Sequence, residues 1–164
     1  MERERHLEES IVVGASPDVI FTYADDHRNF SAHMNQSSWM MGGSKMETHT
    51  DEGKGKKVGS HITMSGNVLG LNLFLDEVIT IHDVPYQKEW QTVGNINLLV
   101  IDHYSLGFKI KPDAAGSQFT VYIDYDLPKS WKTRALGILF GGMYAKWCVQ
   151  QMTTGVKDHF LNQG

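Results

Sequence analysis

Phe119-Thr120-Val121-Tyr122-Ile123-Asp124-Tyr125-Asp126-Leu127 sets apolar side chains at every odd position, with Thr120, Asp124 and Asp126 at even ones. Successive side chains of a strand point to opposite faces, so this stretch reads as a strand with one face in a core and the other in water. Tyr122 is the one aromatic on the wetted parity. Upstream, Tyr104, Leu106, Phe108 and Ile110 point inward, and His103, Ser105, Gly107 and Lys109 outward. Ile62 and Met64 against His61, Thr63 and Ser65 make a third such strand. Leu71, Leu73, Leu75, Ile79 and Ile81 make a fourth, in which Phe74 and Val78 blur the alternation and imply a bulge. Strands with one wetted face belong to an antiparallel sheet.

Working outward, turn signals such as Asp51-Glu52-Gly53-Lys54-Gly55, Gly94-Asn95 and Pro112 to Gly116 separate seven strands, expected near 8–14, 45–50, 58–66, 71–83, 87–93, 98–111 and 117–127. After the first strand, Ser16-Pro17-Asp18 is a helix start: a capping hydroxyl, a residue with no amide to satisfy, and an acid at the positive end of the dipole. That helix runs to about Ala24 with Ile20, Phe21 and Ala24 inward. A second short helix or turn covers 26–34, and a loop over 35–44 carries Trp39, Met40 and Met41. From about 132 to 160 the pattern is helical. Leu136, Phe140, Met143 and Trp147, with Ala145, Cys148, Val149, Met152, Val156 and Phe160, form one apolar flank expected to face the sheet. Gly137, Gly141, Gly142 and Gly155 are poor helix formers, which points to close packing against the sheet.

Composition bounds the function. The 164 residues are 41% hydrophobic and 21% charged, as expected for a single domain spanning 1–164 around one core. Fifteen basic against nineteen acidic residues leave a net charge of -4, which argues against nucleic acid as a partner. Cys148 is the lone cysteine, so no intramolecular disulfide forms, and a reducing compartment is implied. The N-terminus lacks the apolar core of a signal peptide, and no apolar run is long enough for a membrane span, so a cytoplasmic location without stable membrane insertion is expected.

Chemistry-bearing residues are few. His61, His82 and His103 fall on outward parities, His27 and His33 in a solvated segment, and no HxH or HExxH spacing occurs, so no metal site is expected. Gly53-Lys54-Gly55-Lys56-Lys57 lacks the ending of a phosphate loop and reads as a hairpin turn. With no nucleophile elbow either, nucleotide binding and nucleophilic catalysis have no motif behind them, and no cofactor is expected. Glu77 and Asp102 share the parity of inward residues. An acid there must find donors, take up a proton or reach a wet cavity.

One strand, two short helices, six strands and a long helix is the order of the α+β helix-grip fold. Ala15-Ser16-Pro17-Asp18-Val19-Ile20-Phe21-Thr22-Tyr23 resembles the first helix of the START-like, or SRPBCC, superfamily, which includes polyketide cyclase-like and Bet v 1-like proteins. Val58-Gly59-Ser60 with Val68-Leu69-Gly70, Asp83-Val84-Pro85 before Trp90, and Gly116-Ser117 leading to Tyr125-Asp126-Leu127-Pro128 are similar to later family signatures. The chain departs from the pattern at Phe30-Ser31-Ala32-His33, where many members carry a tryptophan, and at Gly116-Ser117 in place of Gly-Thr. The superfamily shares no catalytic residues, so the resemblance implies an architecture and a cavity rather than a reaction.

In that architecture Met64, Ile79, Trp90, Tyr104, Phe108, Tyr125, Met143 and Trp147 are expected around a space between sheet and terminal helix, with Glu77 and Asp102 as its acids. Soft thioethers and aromatics with polar tips suit a lipid-like, quinone-like or polycyclic aromatic ligand, oriented by Glu77, Asp102, Tyr104 and Tyr125. A non-catalytic binding protein is the first expectation. A polyketide cyclase or dehydratase-like enzyme, moving a proton with a cavity acid or tyrosine, is the alternative. A protein-interaction module is the third reading and needs a large exposed apolar patch. An acid buried within hydrogen-bond reach of Tyr104 favours the enzyme; a wide pocket with both acids at the surface favours the carrier.

Overall fold

The computed structural model describes residues 2–30, 32, 46–68 and 70–163. His33 and the Trp39-Met40-Met41 stretch lie outside the described residues. In chain order the elements are β1 (Arg5–Val13), α1 (Pro17–Ala24), α2 (His27–Phe30), β2 (Met46–Thr50), β3 (His61–Val68), β4 (Leu71–Asp83), β5 (Gln87–Thr92), β6 (Tyr104–Asp113), β7 (Gly116–Tyr125), α3 (Trp131–Leu136), a π-helical segment (Gly137–Gly141) and α4 (Gly142–Leu161). The strands form one antiparallel sheet in the order β1-β7-β6-β5-β4-β3-β2, curved around the 31-residue terminal helix. This is the helix-grip fold.

Parity holds through most of the sheet. Phe119, Val121, Ile123 and Tyr125 of β7, Tyr104, Leu106, Phe108 and Ile110 of β6, and Ile62 and Met64 of β3 are all buried. Tyr122, on the outer face, lies over Gly107, its cross-strand partner, and its hydroxyl donates to Glu89 at 2.7 Å. A Cβ at Gly107 would stand 2.7 Å from that hydroxyl, so the bare backbone makes room for the ring. The Gly53–Gly55 region is a turn, organised by the Asp51 carboxylate, which accepts from Gly53 N–H, His61 N–H and the Ser60 hydroxyl. At the start of α1, Pro17 and Asp18 play their expected parts, but the Ser16 hydroxyl makes no capping bond.

Four expectations are corrected. The strand expected from 98 begins at Tyr104, and residues 94–103 form a connection that carries the isolated Phe74–Asn97 bridge to β4. The bulge that Phe74 and Val78 imply lies between Ile79 and Ile81, but His82 does not keep the outward parity expected of it. The bulge flips the parity beyond it, so His82 pairs with Lys88 on the inner side, packs edge-on against Phe21 and shares the Asp25 carboxylate with Lys88. Leu71, the first residue of β4, is exposed although it shares the parity of buried Leu73 and Leu75. Third, His27, expected in solvent, is buried.

The fourth correction is in the terminal helix. Ala145, Cys148, Val149, Met152 and Val156 are buried as expected, and α4 packs on β1 and β7. Leu136, Phe140 and Met143 are exposed instead. Glycines make the contact there: a Cβ on Gly137 would meet Pro128 Cδ at 2.6 Å and Val100 O at 2.9 Å, and one on Gly141 would meet Val100 O at 2.8 Å. Close packing explains these two, against the 94–103 connection and the end of β7. It does not explain Gly155, beside which the space is open.

Gly141→Ala and Gly155→Ala should therefore move stability in opposite directions. Chemical denaturation is expected to show Gly155→Ala stabilising by up to about 1 kcal/mol and Gly141→Ala destabilising by at least that much. Equal shifts of one sign would remove the close-packing account.

Candidate active site

Glu77 sits in the middle of β4, between inward Leu75 and Ile79, and pairs across the sheet with Ile62 on one side and Thr92 on the other. Its carboxyl is therefore carried straight into the core. Thr92 Oγ1 accepts the Tyr104 backbone N–H at 3.0 Å and lies 2.8 Å from His103 Nδ1, pinning the start of β6. From there the Tyr104 hydroxyl reaches across β5 and donates a short hydrogen bond to Glu77 Oε1. The other oxygen, Oε2, is buried and accepts no hydrogen bond among the described residues. His27 Nε2 stands 4.0 Å from Oε2, its ring edge-on to Trp90 with centroids 5.6 Å apart. From α4, half-buried Tyr144 and buried Cys148 close the group and are linked to one another.

Burial dominates the electrostatics. Loss of water pushes the Glu77 carboxyl up to about 7, against the hydrogen bond from Tyr104 and the nearby Trp90 indole, which favour the ionised form. Trp90 acts from outside hydrogen-bonding geometry. Burial, reinforced by the Glu77 charge, lifts the Tyr104 phenol well above its ordinary value, so it stays a proton donor. Burial likewise pushes the Cys148 thiol up to about 12, leaving it protonated and a poor nucleophile. Near neutral pH the group thus holds one carboxyl poised to gain or lose a proton, surrounded by neutral donors. Among the described residues no three His, Cys, Asp or Glu side chains converge as metal ligands.

Glu77, Tyr104, Tyr144, Cys148, Met64 and Met152 border a cavity of about 30 Å³, large enough for a water molecule. Past Leu98 and Tyr144, the walls common to both, lies a second space of about 80 Å³ bordered by Met46, Val68, Leu73, Leu99 and Val100. The lining of both is almost wholly apolar. A drug-sized guest needs roughly 300 Å³ or more, so it fits only if Leu98 and Tyr144 give way and the two spaces merge.

Of the residues expected at the site, Met64, Glu77 and Tyr104 border the inner cavity. Ile79, Trp90 and Phe108 are buried without bordering it, Trp90 and Phe108 in an aromatic cluster with Phe30. Tyr125 is buried too, but borders a separate hollow with Arg5, Leu127 and Gly142. Asp102 precedes β6, outside the alternation used to place it; it is half-buried, and its backbone N–H donates to Asp126 O. Met143 is exposed and Trp147 half-buried on the flank of α4. Sequence reasoning missed Tyr144, Leu98 and His27. No periodic signal marks Leu98, whereas Tyr144 sits four residues before inward Cys148, a spacing that could have placed it.

The fold is shared widely. A protein from Thermus thermophilus superposes with a TM-score of 0.68 at 12% identity, over 98% of this chain and 99% of the other. Norcoclaurine synthase from Thalictrum flavum gives 0.63 at 16% identity, over 96% and 86%. The di-domain ARO/CYC StfQ of the steffimycin biosynthetic pathway gives 0.66 at 9%, over 96% of this chain and 51% of that one. Comparison with curated proteins finds no match. A family model described as polyketide cyclase / dehydrase and lipid transport matches residues 4–157, and to that family the chain belongs.

Proposed function

We propose that the chain binds an apolar small molecule carrying a carbonyl or hydroxyl group between the sheet and α4, and that Glu77 exchanges a proton with it. The observation that carries this reading is the Glu77–Tyr104 pair: an acid fully buried at an apolar cavity wall, one oxygen held by Tyr104 and the other without a hydrogen bond among the described residues. The family description covers both cyclase or dehydrase chemistry and lipid transport. A carrier requires only apolar walls, and a buried carboxyl weakens its grip on a lipid chain. A proton-transfer enzyme requires an acid near neutrality. In the catalytic arrangement Tyr104 and Glu77 Oε1 keep their hydrogen bond, while Oε2 faces the guest and takes a proton from its activated carbon or hydroxyl. The same carboxyl, once protonated, returns the proton to a leaving oxygen. Dry walls keep water from competing.

Deuterium incorporation from D2O into a panel of aryl ketones and phenolic diketones tests this, with binding followed by native mass spectrometry. Glu77→Gln is expected to retain ligand while losing exchange by about 10²–10⁴-fold. Ligands that bind while exchanging equally in wild type and Glu77→Gln would leave only carriage. Tyr104→Phe removes a donor to the carboxylate, so the rising limb of the rate profile should move to higher pH.

The same acid marks stability. Between pH 4.5 and about 7 the folded chain holds a proton on Glu77 that the unfolded chain has released. Stability should therefore fall as pH rises through that window, by on the order of 3 kcal/mol, and level off above it. Denaturant titrations across the window should show this slope in wild type and its loss in Glu77→Gln; an unchanged slope would mean that Glu77 titrates normally.

A further inference from the structure

The terminal helix begins with an apolar flank that the fold leaves uncovered. Trp131 is 78% exposed, Ile138 61% and Leu139 70%, with Leu136, Phe140 and Met143 also turned to water. Leu136, Leu139, Phe140 and Met143 recur at the spacing of one helical face, and the opposite side, Gly137 and Gly141, is the one pressed onto the protein. An exposed cluster of this kind marks a contact surface. Charge identifies the partner. Residues 127–157 contain five basic side chains and no carboxylate, whereas the rest of the chain carries ten basic residues against nineteen acidic ones. Lys129, Lys132 and Lys146 bracket the apolar flank and are exposed, with the Lys132 ammonium 5.5 Å from the centre of the Trp131 ring. Arg134 is engaged by Glu4 at 3.0 Å.

We propose that this flank docks on an anionic lipid surface, the apolar side chains entering the headgroup boundary and the lysines meeting lipid charge. A second copy of the chain is a poorer occupant: a two-fold contact would set Lys132 and Lys146 against the same lysines, with no carboxylate in the segment to oppose them. Among the described residues no helix is long and apolar enough to cross a membrane, so the contact is peripheral. The cavity gains from the placement. Val100, which borders the outer space, rests on Gly137 and Gly141, so a single helix turn separates the docked face from the cavity wall. The docking stands independently of proton transfer by Glu77.

Co-sedimentation of the full chain with phosphatidylcholine vesicles, with and without about one-third phosphatidylserine, tests the proposal without any ligand. Binding should be at least tenfold stronger to the anionic vesicles and should weaken with added salt. Lys132→Gln with Lys146→Gln should weaken it on the order of tenfold. Leu139→Ser with Met143→Ser should abolish it while leaving far-UV circular dichroism unchanged, since both side chains are in water. Absence of binding, equal binding to neutral vesicles, or a wild-type dimer in sedimentation velocity that Leu139→Ser with Met143→Ser converts to monomer would each overturn it.

Discussion

A carboxyl group deprived of water is the constraint around which this interior is organised. Glu77 is 1% exposed, and an ionised carboxylate in such surroundings is costly unless donors replace its hydration. The fold supplies one strong donor, Tyr104, and places it by an indirect route. The sheet order β6-β5-β4 leaves a whole strand between the two residues, and Thr92 on that strand, paired with Glu77 on one side, accepts the Tyr104 backbone N–H on the other. One donor does not replace a hydration shell. The remainder of the cost appears as an acid whose proton is held up to about pH 7. The group is thus tuned by what surrounds it, and a tighter set of donors would stabilise the fold while silencing the acid.

The inner face of β5 carries a second buried polar group that behaves differently. Lys88, Trp90 and Thr92 all point inward. The Lys88 ammonium donates to the Asp25 carboxylate at 2.8 Å and to the Asp25 carbonyl at 2.9 Å, and His82 lies 2.8 Å from the same carboxylate. Burial draws the Lys88 pKa down while Asp25 holds it up, so here charge is balanced by charge. The pair fastens the end of α1 to the sheet. Its four-carbon stem packs as an apolar side chain, which is how a lysine comes to sit in a core. Two buried polar groups on one sheet face therefore do separate work: one is matched and structural, the other incompletely matched and able to titrate.

Period-two alternation carried most of the fold, because a half-wetted strand writes its orientation into every residue. It failed where the backbone departs from that period. One bulge between Ile79 and Ile81 hid the inward turn of His82, and with it the buried lysine opposite. Asp102 lies before β6 begins, where parity has no meaning, so of the two acids suspected of facing inward only Glu77 does. The terminal helix misled for another reason. From Leu136 to Val149 large apolar residues occur on nearly every side, and hydrophobicity alone cannot say which are covered. The covered side there is marked by Gly137 and Gly141, whose close packing was legible in the sequence while the displacement of Leu136, Phe140 and Met143 from that side was not. The π-helical segment between α3 and α4 also shifts the phase, so a flank drawn at constant spacing through Trp147 crosses from one face to another.

The cavity wall is uneven in how firmly it is held, and this bears on how a guest enters. On the sheet side each wall residue sits in a ladder of backbone hydrogen bonds, as Met64, Leu75 and Leu106 do in β3, β4 and β6. Across the opening, the 94–103 connection is tied at its two ends. Asn97 exchanges two backbone bonds with Phe74, and the Asp102 and Asp126 N–H groups bond to Asp126 and His103 carbonyls. Between these ties, among the described residues, no backbone-to-backbone bond holds Leu98 to Ile101. That stretch keeps its place by the burial of Ile101, the partial burial of its neighbours and the seat that Gly137 and Gly141 give to Val100. Apolar contact is non-directional and re-forms readily against an apolar guest, whereas a strand displaced from a sheet loses several directed bonds at once. Leu98, one of the two side chains that keep the small spaces apart, is thus in the stretch that the structure can move at least cost, and a guest of the proposed kind would reach Glu77 past it.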